Sequence, residues 1–350
     1  MSRSVRYLLA SLAVLSVPWL VHAQSGAARF DQYVESLRQQ AGIPGLSAAI
    51  VQHGTIVWEK GFGEADLERN VPVTPDTPFP IAGLTVMVSA VQALRCVEEG
   101  QLELAAPVQR ISPTFGDPTV TLQDVLAHVI AGHYAYDLQR YDAVATGIKA
   151  CTGKTLRAAL VDNVLERFGM NDSVPGHDFN TWSASTLAQF PDAVVDRYRR
   201  TMERMAKPYR SAGRGSKPAP TSFAPSAGLV GGSGLVSTVH DVAMLQAALD
   251  AGALLRSETR SQAFVAPVMA DGKPSPHALG WFVQKYEGQT LAWQFGEVPD
   301  GYSALLMTLP ERGVTLILLA NSDGLVEPFR LVNGDVSVSP FARLFLGLFS

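Results

Sequence analysis

Residues 45–63 read Gly-Leu-Ser-Ala-Ala-Ile-Val-Gln-His-Gly-Thr-Ile-Val-Trp-Glu-Lys-Gly-Phe-Gly. Two apolar runs, Gly45 to Val51 and Ile56 to Gly63, flank His53-Gly54, a pair suited to a tight turn with positive φ. The stretch predicts a hairpin that opens a sheet. Four more strands are predicted far along the chain, at Leu279 to Tyr286, Thr290 to Gln294, Tyr302 to Thr308 and Val314 to Ala320. They are separated by the turn-formers Glu287-Gly288, Pro299-Asp300-Gly301 and Pro310 to Gly313. Strands at both ends with helices between predict one antiparallel sheet assembled from distant parts of the chain.

Between the strand sets, apolar residues recur at helical spacing over Val86 to Glu99, Leu122 to Ala127, Ala143 to Cys151, Leu156 to Phe168 and Val239 to Ala251. Gly100, Gly153 and Gly252 supply C-terminal stops. Phe30 to Gln40 reads as an amphipathic helix ahead of the hairpin. The fold class is therefore α+β: an antiparallel sheet flanked by helices, with an inserted all-helical lobe. A single domain is expected over residues 24–350, its sheet lobe at about 30–82 and 241–350 and its helical lobe at about 83–240. Basic residues, Gly and Pro gather from Arg197 to Pro220, which is expected to be a mobile loop rather than a linker between independent domains.

The chain has 350 residues, 47% hydrophobic and 17% charged, which excludes wholesale disorder and suffices for one large core. A net charge of -4 gives no field that gathers nucleic acid, so no nucleic-acid partner is expected. Arg3 and Arg6, an apolar run from Tyr7 to Val21 and the small-residue end Val21-His22-Ala23 fit a cleaved signal peptide over residues 1–23. The run is short and broken by Pro18, so no stable membrane span is expected, and the protein is expected to be exported, periplasmic or secreted. Cys96 and Cys151 are the two cysteines. In an exported chain they allow one disulfide, but Cys96, among apolar neighbours at helical spacing, reads as a buried free thiol acting as a small hydrophobe.

Ordered landmarks run along the sequence. They are Thr77-Pro-Phe-Pro-Ile-Ala before the first long helix, Gly100-Gln-Leu-Glu-Leu after it, Val120 to His128, Thr152-Gly153-Lys154, and Phe168-Gly-Met170. Ala227-Gly-Leu-Val through Ser237-Thr-Val-His-Asp241, Gly280-Trp281 and Leu319-Ala-Asn321 complete the set. With these, the chain resembles the class C beta-lactamase, DD-peptidase and esterase group of serine hydrolases, over roughly Phe30 to Ser322. The resemblance implies a helix that begins Ser-x-x-Lys, where lysine, helped by a tyrosine, takes the serine proton and the serine oxygen attacks a carbonyl. Here that stretch reads Ile81-Ala82-Gly83-Leu84-Thr85-Val86. Glycine has nothing to attack with, and valine neither accepts nor donates a proton.

The implied Tyr-x-Asn element falls on Tyr136-Asp137-Leu138, with Tyr134 and Tyr141 as competing placements. Tyr136 retains a phenol, but Leu138 cannot orient an amide. The implied Lys-Thr-Gly or His-x-Gly element falls on Gln294-Phe295-Gly296, where the glycine persists and Gln294 replaces the cation. Backbone N–H groups near Gly83 and Gly296 are expected to form a carbonyl-binding nest, and Trp293, beside the cleft strand, is a candidate ligand contact. Nucleophile and base act as a unit, so their loss, about a million-fold in such systems, corresponds to roughly 8 kcal/mol of barrier.

Replacement nucleophiles are few. Thr146-Gly-Ile-Lys149 and Cys151-Thr-Gly-Lys154 keep the spacing but lie away from the expected cleft; Thr85 points about 200° from Gly83 on the helix; Ser233 in Gly231-Gly-Ser-Gly234 lacks the strand-to-helix elbow. His128 and His133 lack metal-ligand spacing, and neither metal nor cofactor is expected. The sequence therefore predicts a non-catalytic exported relative with a residual cleft built by Gly83, Tyr136, Trp293, Gln294 and Gly296, taking a small peptide, a peptidoglycan-like ligand or an envelope protein. The alternatives are a living esterase with a rearranged nucleophile, and a structural protein whose cleft is filled by Leu84, Val86 and Leu138.

Overall fold

The computed structural model describes residues 17–211, 218–223 and 228–350. Helix α1, Val17–Gln40, leads into strand β1, Gly45–Gln52, and β2, Thr55–Asp66. The turn between the strands has φ of 48° at His53 and 74° at Gly54, the left-handed pair that matches the twist of a hairpin. A short strand β3, Val71–Pro72, follows β2.

The middle of the chain is helical: α2, Leu84–Glu98; α3, Leu122–Leu126; α4, Asp142–Thr152; α5, Leu156–Leu160; α6, Asp192–Glu203; and α7, Val239–Asp250. Strands β4, Phe282–Tyr286, β5, Gln289–Val298, β6, Tyr302–Leu309, and β7, Val314–Ala320, then close the sheet before helix α8, Pro340–Phe349. The sheet has seven strands in the order β4-β5-β6-β7-β1-β2-β3, and β1 pairs antiparallel with β7 from Leu46↔Ala320 to Gln52↔Val314. The two strand sets thus meet in mid-sheet.

Alternation along the strands divides the interior into two layers. Leu46, Ala48 and Ile50 of β1 and Leu316 and Leu318 of β7 pack with Phe30 of α1 and Phe341 and Phe345 of α8. Their neighbours Ala49, Ile317 and Leu319 face the other way, onto Val86 and Val91 of α2 and Val242 of α7. Every residue of α2 from Leu84 to Leu94 is buried, so this helix is apolar nearly all round, as a helix wedged between a sheet and other helices must be. Helix starts carry the expected caps: Thr121 and Asp124 form a capping box on α3, and Thr238 accepts from Asp241 N on α7.

Three expectations need correction. Cys96 is not a free thiol: it is bonded to Cys151, with Cα atoms 6.1 Å apart, because α4 packs across α2 and brings the two positions together. Arg197–Pro220 is not a loop throughout: α6 runs to Glu203 because Val195, Tyr198 and Thr201 are buried at helical spacing, while the basic residues take the outer face. Tyr209–Arg210 then pairs with Ala219–Pro220, and residues 212–217 lie outside the described residues. Leu156 to Phe168 is a helix whose second turn is widened to i→i+5 over Val161–Leu165. Helix α8 was not anticipated at all. The leader expected over residues 1–23 falls mostly outside the described residues, among which no helix is long and apolar enough to cross a membrane.

Candidate active site

The N-terminus of α2 is stitched between two strand segments. Phe79-Pro80 bridges Val236-Ser237, Ile81 N donates to Leu235 O at 3.0 Å, and Ala82 takes a φ of 44° before Gly83 opens the helix. An alanine with positive φ persists only where its surroundings dictate it, and here Ala82 is clamped by bonds on both sides. This turn lies directly against β5. A Cβ on Gly296 would meet Ile81 O at 2.1 Å and Gly83 N at 3.0 Å; a Cβ on Gly83 would meet Phe295 O at 2.5 Å and Tyr136 Oη at 3.0 Å. Two main chains in contact leave room for neither side chain.

Of the three tyrosines considered, Tyr136 is the one whose hydroxyl reaches Gly83. Tyr134 donates to Val332 O and Tyr141 to Leu126 O, at 2.8 and 2.7 Å. The Tyr136 ring stacks on Phe295 with centroids 5.3 Å apart and lies 4.4 Å from the His128 ring. Its hydroxyl is buried without a hydrogen-bond partner. Burial, then the nearby Tyr134 and Glu297, push this phenol above its ordinary value, the reverse of what a general base needs. Val86, fully buried in the apolar layer, supplies no cation to lower it.

Gln294 is fully buried and fully engaged. Its Nε2 donates to Gly280 O and to His277 Nε2, both at 3.2 Å, and its Oε1 accepts from Phe295 N at 2.9 Å. His277 Nδ1 donates to Ala278 O at 2.8 Å, so its Nε2 is left to accept and the ring is neutral; burial pushes this imidazole down to about 3. The ring of His128 stands edge-on to it at 4.6 Å, and Asp137 N donates to His128 Nδ1 at 3.1 Å. Burial, then His277 and Arg140, hold His128 well below its usual range too. Where the resemblance implies a cation, the chain has built an uncharged hydrogen-bonded network.

The remaining expected residues scatter. Trp293 faces the side of β5 opposite Gln294, the side that Phe295 also takes; it is fully buried and stacked on Phe282 at 4.2 Å, in one aromatic cluster with Phe295 and Tyr136. Leu138 packs against the helical side, its carbonyl 2.7 Å from the point a Cβ on Gly232 would occupy. Thr85 is fully buried, with its hydroxyl accepting from Leu235 N at 3.4 Å. Ser233 closes a turn with Val230, Thr146 Oγ1 donates to Asp142 O, and the Cys151 sulfur is taken up in the disulfide. Lys154 pairs with Asp162 at 2.6 Å. Two residues that sequence reasoning passed over complete the centre: Phe295, the middle residue of the third motif, which caps Tyr136, and His277, which occupies Gln294. Neither announces itself, since a lone Phe in a strand and a lone His in a loop ordinarily read as packing.

The sheet, the central helix and the edge segment of β5 define a serine hydrolase fold. The chain belongs to the beta-lactamase family, whose model matches residues 30–335. It is 30% identical to esterase EstB of Burkholderia gladioli over 184 residues, 50% of this chain and 46% of EstB, so the match spans less than half of that relative. The D-amino acid amidase of Ochrobactrum anthropi SV3 superposes with a TM-score of 0.69 at 20% identity, over 94% of this chain and 98% of the amidase. FmtA of Staphylococcus aureus does so with a TM-score of 0.70 at 16% identity, over 94% and 90%. At such identities the structural likenesses speak for the fold alone.

Proposed function

We propose that this protein is a non-catalytic, exported member of the beta-lactamase family, whose former reaction centre is filled by its own chain and which acts by binding rather than by turnover. The observation that carries this reading is the contact of α2 with β5: the place for a nucleophile's Cβ is 2.5 Å from Phe295 O, inside any non-bonded contact distance. The absence of a hydroxyl at position 83 is thereby matched by the absence of space for one. The stacked Phe295 and Tyr136 rings, rather than Leu84 and Val86, are the side chains closing the site. The disulfide supports export, since such bonds persist in oxidising compartments. Partners of the kind the family suggests are a small peptide, a peptidoglycan fragment or another envelope protein, met on a surface away from Gly83.

Turnover of a nitrophenyl ester tests the reading. The purified protein should hydrolyse it no faster than buffer. A faster rate that disappears on changing Tyr136, Thr85 or Ser233 would establish a rearranged hydrolase in its place.

A further inference from the structure

Tyr136, whose ring closes the centre beside Gly83, sits in a short strap that hangs from one histidine. Val129–Ile130 pairs with His133–Tyr134, and Tyr134 Oη donates to Val332 O, which fixes the near end of the strap. Tyr141 N donates to Leu138 O and Tyr141 Oη to Leu126 O, which fix its far end. Between these anchors, both chain neighbours of Tyr136 bond to His128: Ala135 N donates to its carbonyl at 2.8 Å and Asp137 N to its Nδ1 at 3.1 Å. The Tyr136 hydroxyl has no partner of its own. Its ring is held by ring contacts only, among them His128 at 4.4 Å and Phe295 at 5.3 Å.

The Asp137 bond fixes the state of the His128 ring. A nitrogen that accepts from a main-chain N–H carries no proton, so the neutral ring has its proton on Nε2, and that atom is buried without a partner. A second proton goes to Nδ1, where it meets the Asp137 N–H donor to donor, and the tie is cut. The surroundings do not accommodate the charge. The His277 ring stands edge-on at 4.6 Å, Tyr136 and Tyr141 flank the imidazole, and Arg140 repels it; Arg140 is itself faced by Asp137, Asp124 and Asp117. On β5, the uncharged Gln294 meets His277, and Glu297 acts on Tyr136 rather than on His128. His128 also holds a φ of 52°, a left-handed conformation that is costly for a residue with a Cβ. We propose that residues 135–137 form an acid-released strap: protonation of His128 cuts its side-chain tie, and Tyr136 swings away from Gly83. What opens is the slot of the phenol ring against Phe295 and Phe282, while the main-chain contact of α2 with β5 stays. The device goes beyond the non-catalytic reading and does not depend on it.

Burial holds His128 well below its ordinary 6.5 while the strap is closed. Once released, the ring takes its proton near 6.5, so below that pH opening gains up to about tenfold per unit. Amide hydrogen exchange on the purified full chain tests this, resolved at Ala135 and Asp137 and corrected for the intrinsic effect of pH. Protection there should fall at least about tenfold from pH 7 to pH 5, and at pH 5 it should lie below that of the β1 and β7 amides, which open only with the whole fold. His128→Asn keeps an oxygen near the Nδ1 position, tolerates the left-handed φ and does not titrate, so its strap should show no such fall. His277→Gln should retain the parent's fall. The parent decides the matter without any variant: equal protection of Ala135 and Asp137 at the two pH values overturns the proposal. It is also overturned if at pH 5 these amides are as protected as those of β1 and β7, if His128→Asn shows the parent's fall, or if His277→Gln abolishes it.

Discussion

The main-chain carbonyl of Phe295 stands 2.5 Å from the point a Cβ on Gly83 would occupy, with the Tyr136 hydroxyl 3.0 Å away on the other side. A backbone oxygen cannot rotate aside as the tip of a side chain can. Position 83 is therefore closed by main chain, and any side chain there requires the backbone of Gly83 or Phe295 to shift.

Gly83→Ser should accordingly destabilise the protein by about 1–3 kcal/mol, the usual cost of forcing atoms into a filled site. Gly347→Ala is the control: that glycine lies in α8 with open space around its Cβ position, and alanine should gain about 0.5–1 kcal/mol there from helix propensity. Urea unfolding midpoints measure both, and a Gly83→Ser protein as stable as the parent would contradict the closure.

Tyr136→Phe removes a buried hydroxyl that has no partner, while the ring that stacks on Phe295 and lies tilted against Phe282 stays. Thermal unfolding should show stability unchanged or raised by up to about 1 kcal/mol. A loss well beyond that would mean the hydroxyl makes a bond in solution that this account does not include.

Acid should weaken the fold through the two buried imidazoles. His277 drops from 6.5 to about 3 in the folded protein, and His128 also lies well below 6.5, so below pH 6.5 the unfolded chain binds more protons than the folded one. Stability is then full above about pH 6.5 and declines as the pH falls toward 3, by up to about 1.4 kcal/mol per pH unit for each histidine. Asp241 works the other way: burial raises its carboxyl from 3.8 to about 6, which favours the folded state as pH falls between those values. Asp250, Glu297 and His240, also raised, act in the same sense as Asp241, so the share of the imidazoles is read by difference: from pH 7 to 5 the urea midpoint of His277→Gln should fall less, or rise more, than that of the parent. Identical slopes for the two proteins would contradict the neutral network.

Reduction of Cys96–Cys151, or Cys151→Ser with Cys96→Ser, frees a loop with a sequence separation of 55. Loop-closure entropy assigns such a cross-link about 4 kcal/mol. Denaturant curves with and without reductant should differ by a loss in the range of about 2–5 kcal/mol; identical curves would show that packing of α2 on α4 alone fixes the pair.

Periodicity made the scaffold legible. The His53-Gly54 turn and the strand Val314–Ala320 appear where alternation and turn chemistry put them, and α2, α4 and α7 differ from expectation by only one or two residues at their ends. Failures came where a local signal was outvoted by tertiary contacts. Basic residues around Arg197 looked like a loop until Val195, Tyr198 and Thr201 buried a face, and Cys96 looked like an ordinary apolar residue until α4 delivered Cys151. At the centre, the ordered motifs located Gly83, Tyr136 and Gln294, but single residues carry no information about which face of β5 they take or what fills the space between them. The sequence therefore does not show that Trp293 stands in one aromatic cluster with Phe282, Phe295 and Tyr136, nor does it mark Phe295 and His277, because contacts between distant strands and loops leave no local pattern.

The most direct test of the central claim is intact-mass spectrometry of the purified protein after prolonged exposure to a fluorescent penicillin and, separately, to a fluorophosphonate. A protein whose centre holds neither nucleophile nor room for one should keep its unmodified mass with both reagents. A stoichiometric adduct mapped to any hydroxyl beside Gly83 would contradict it.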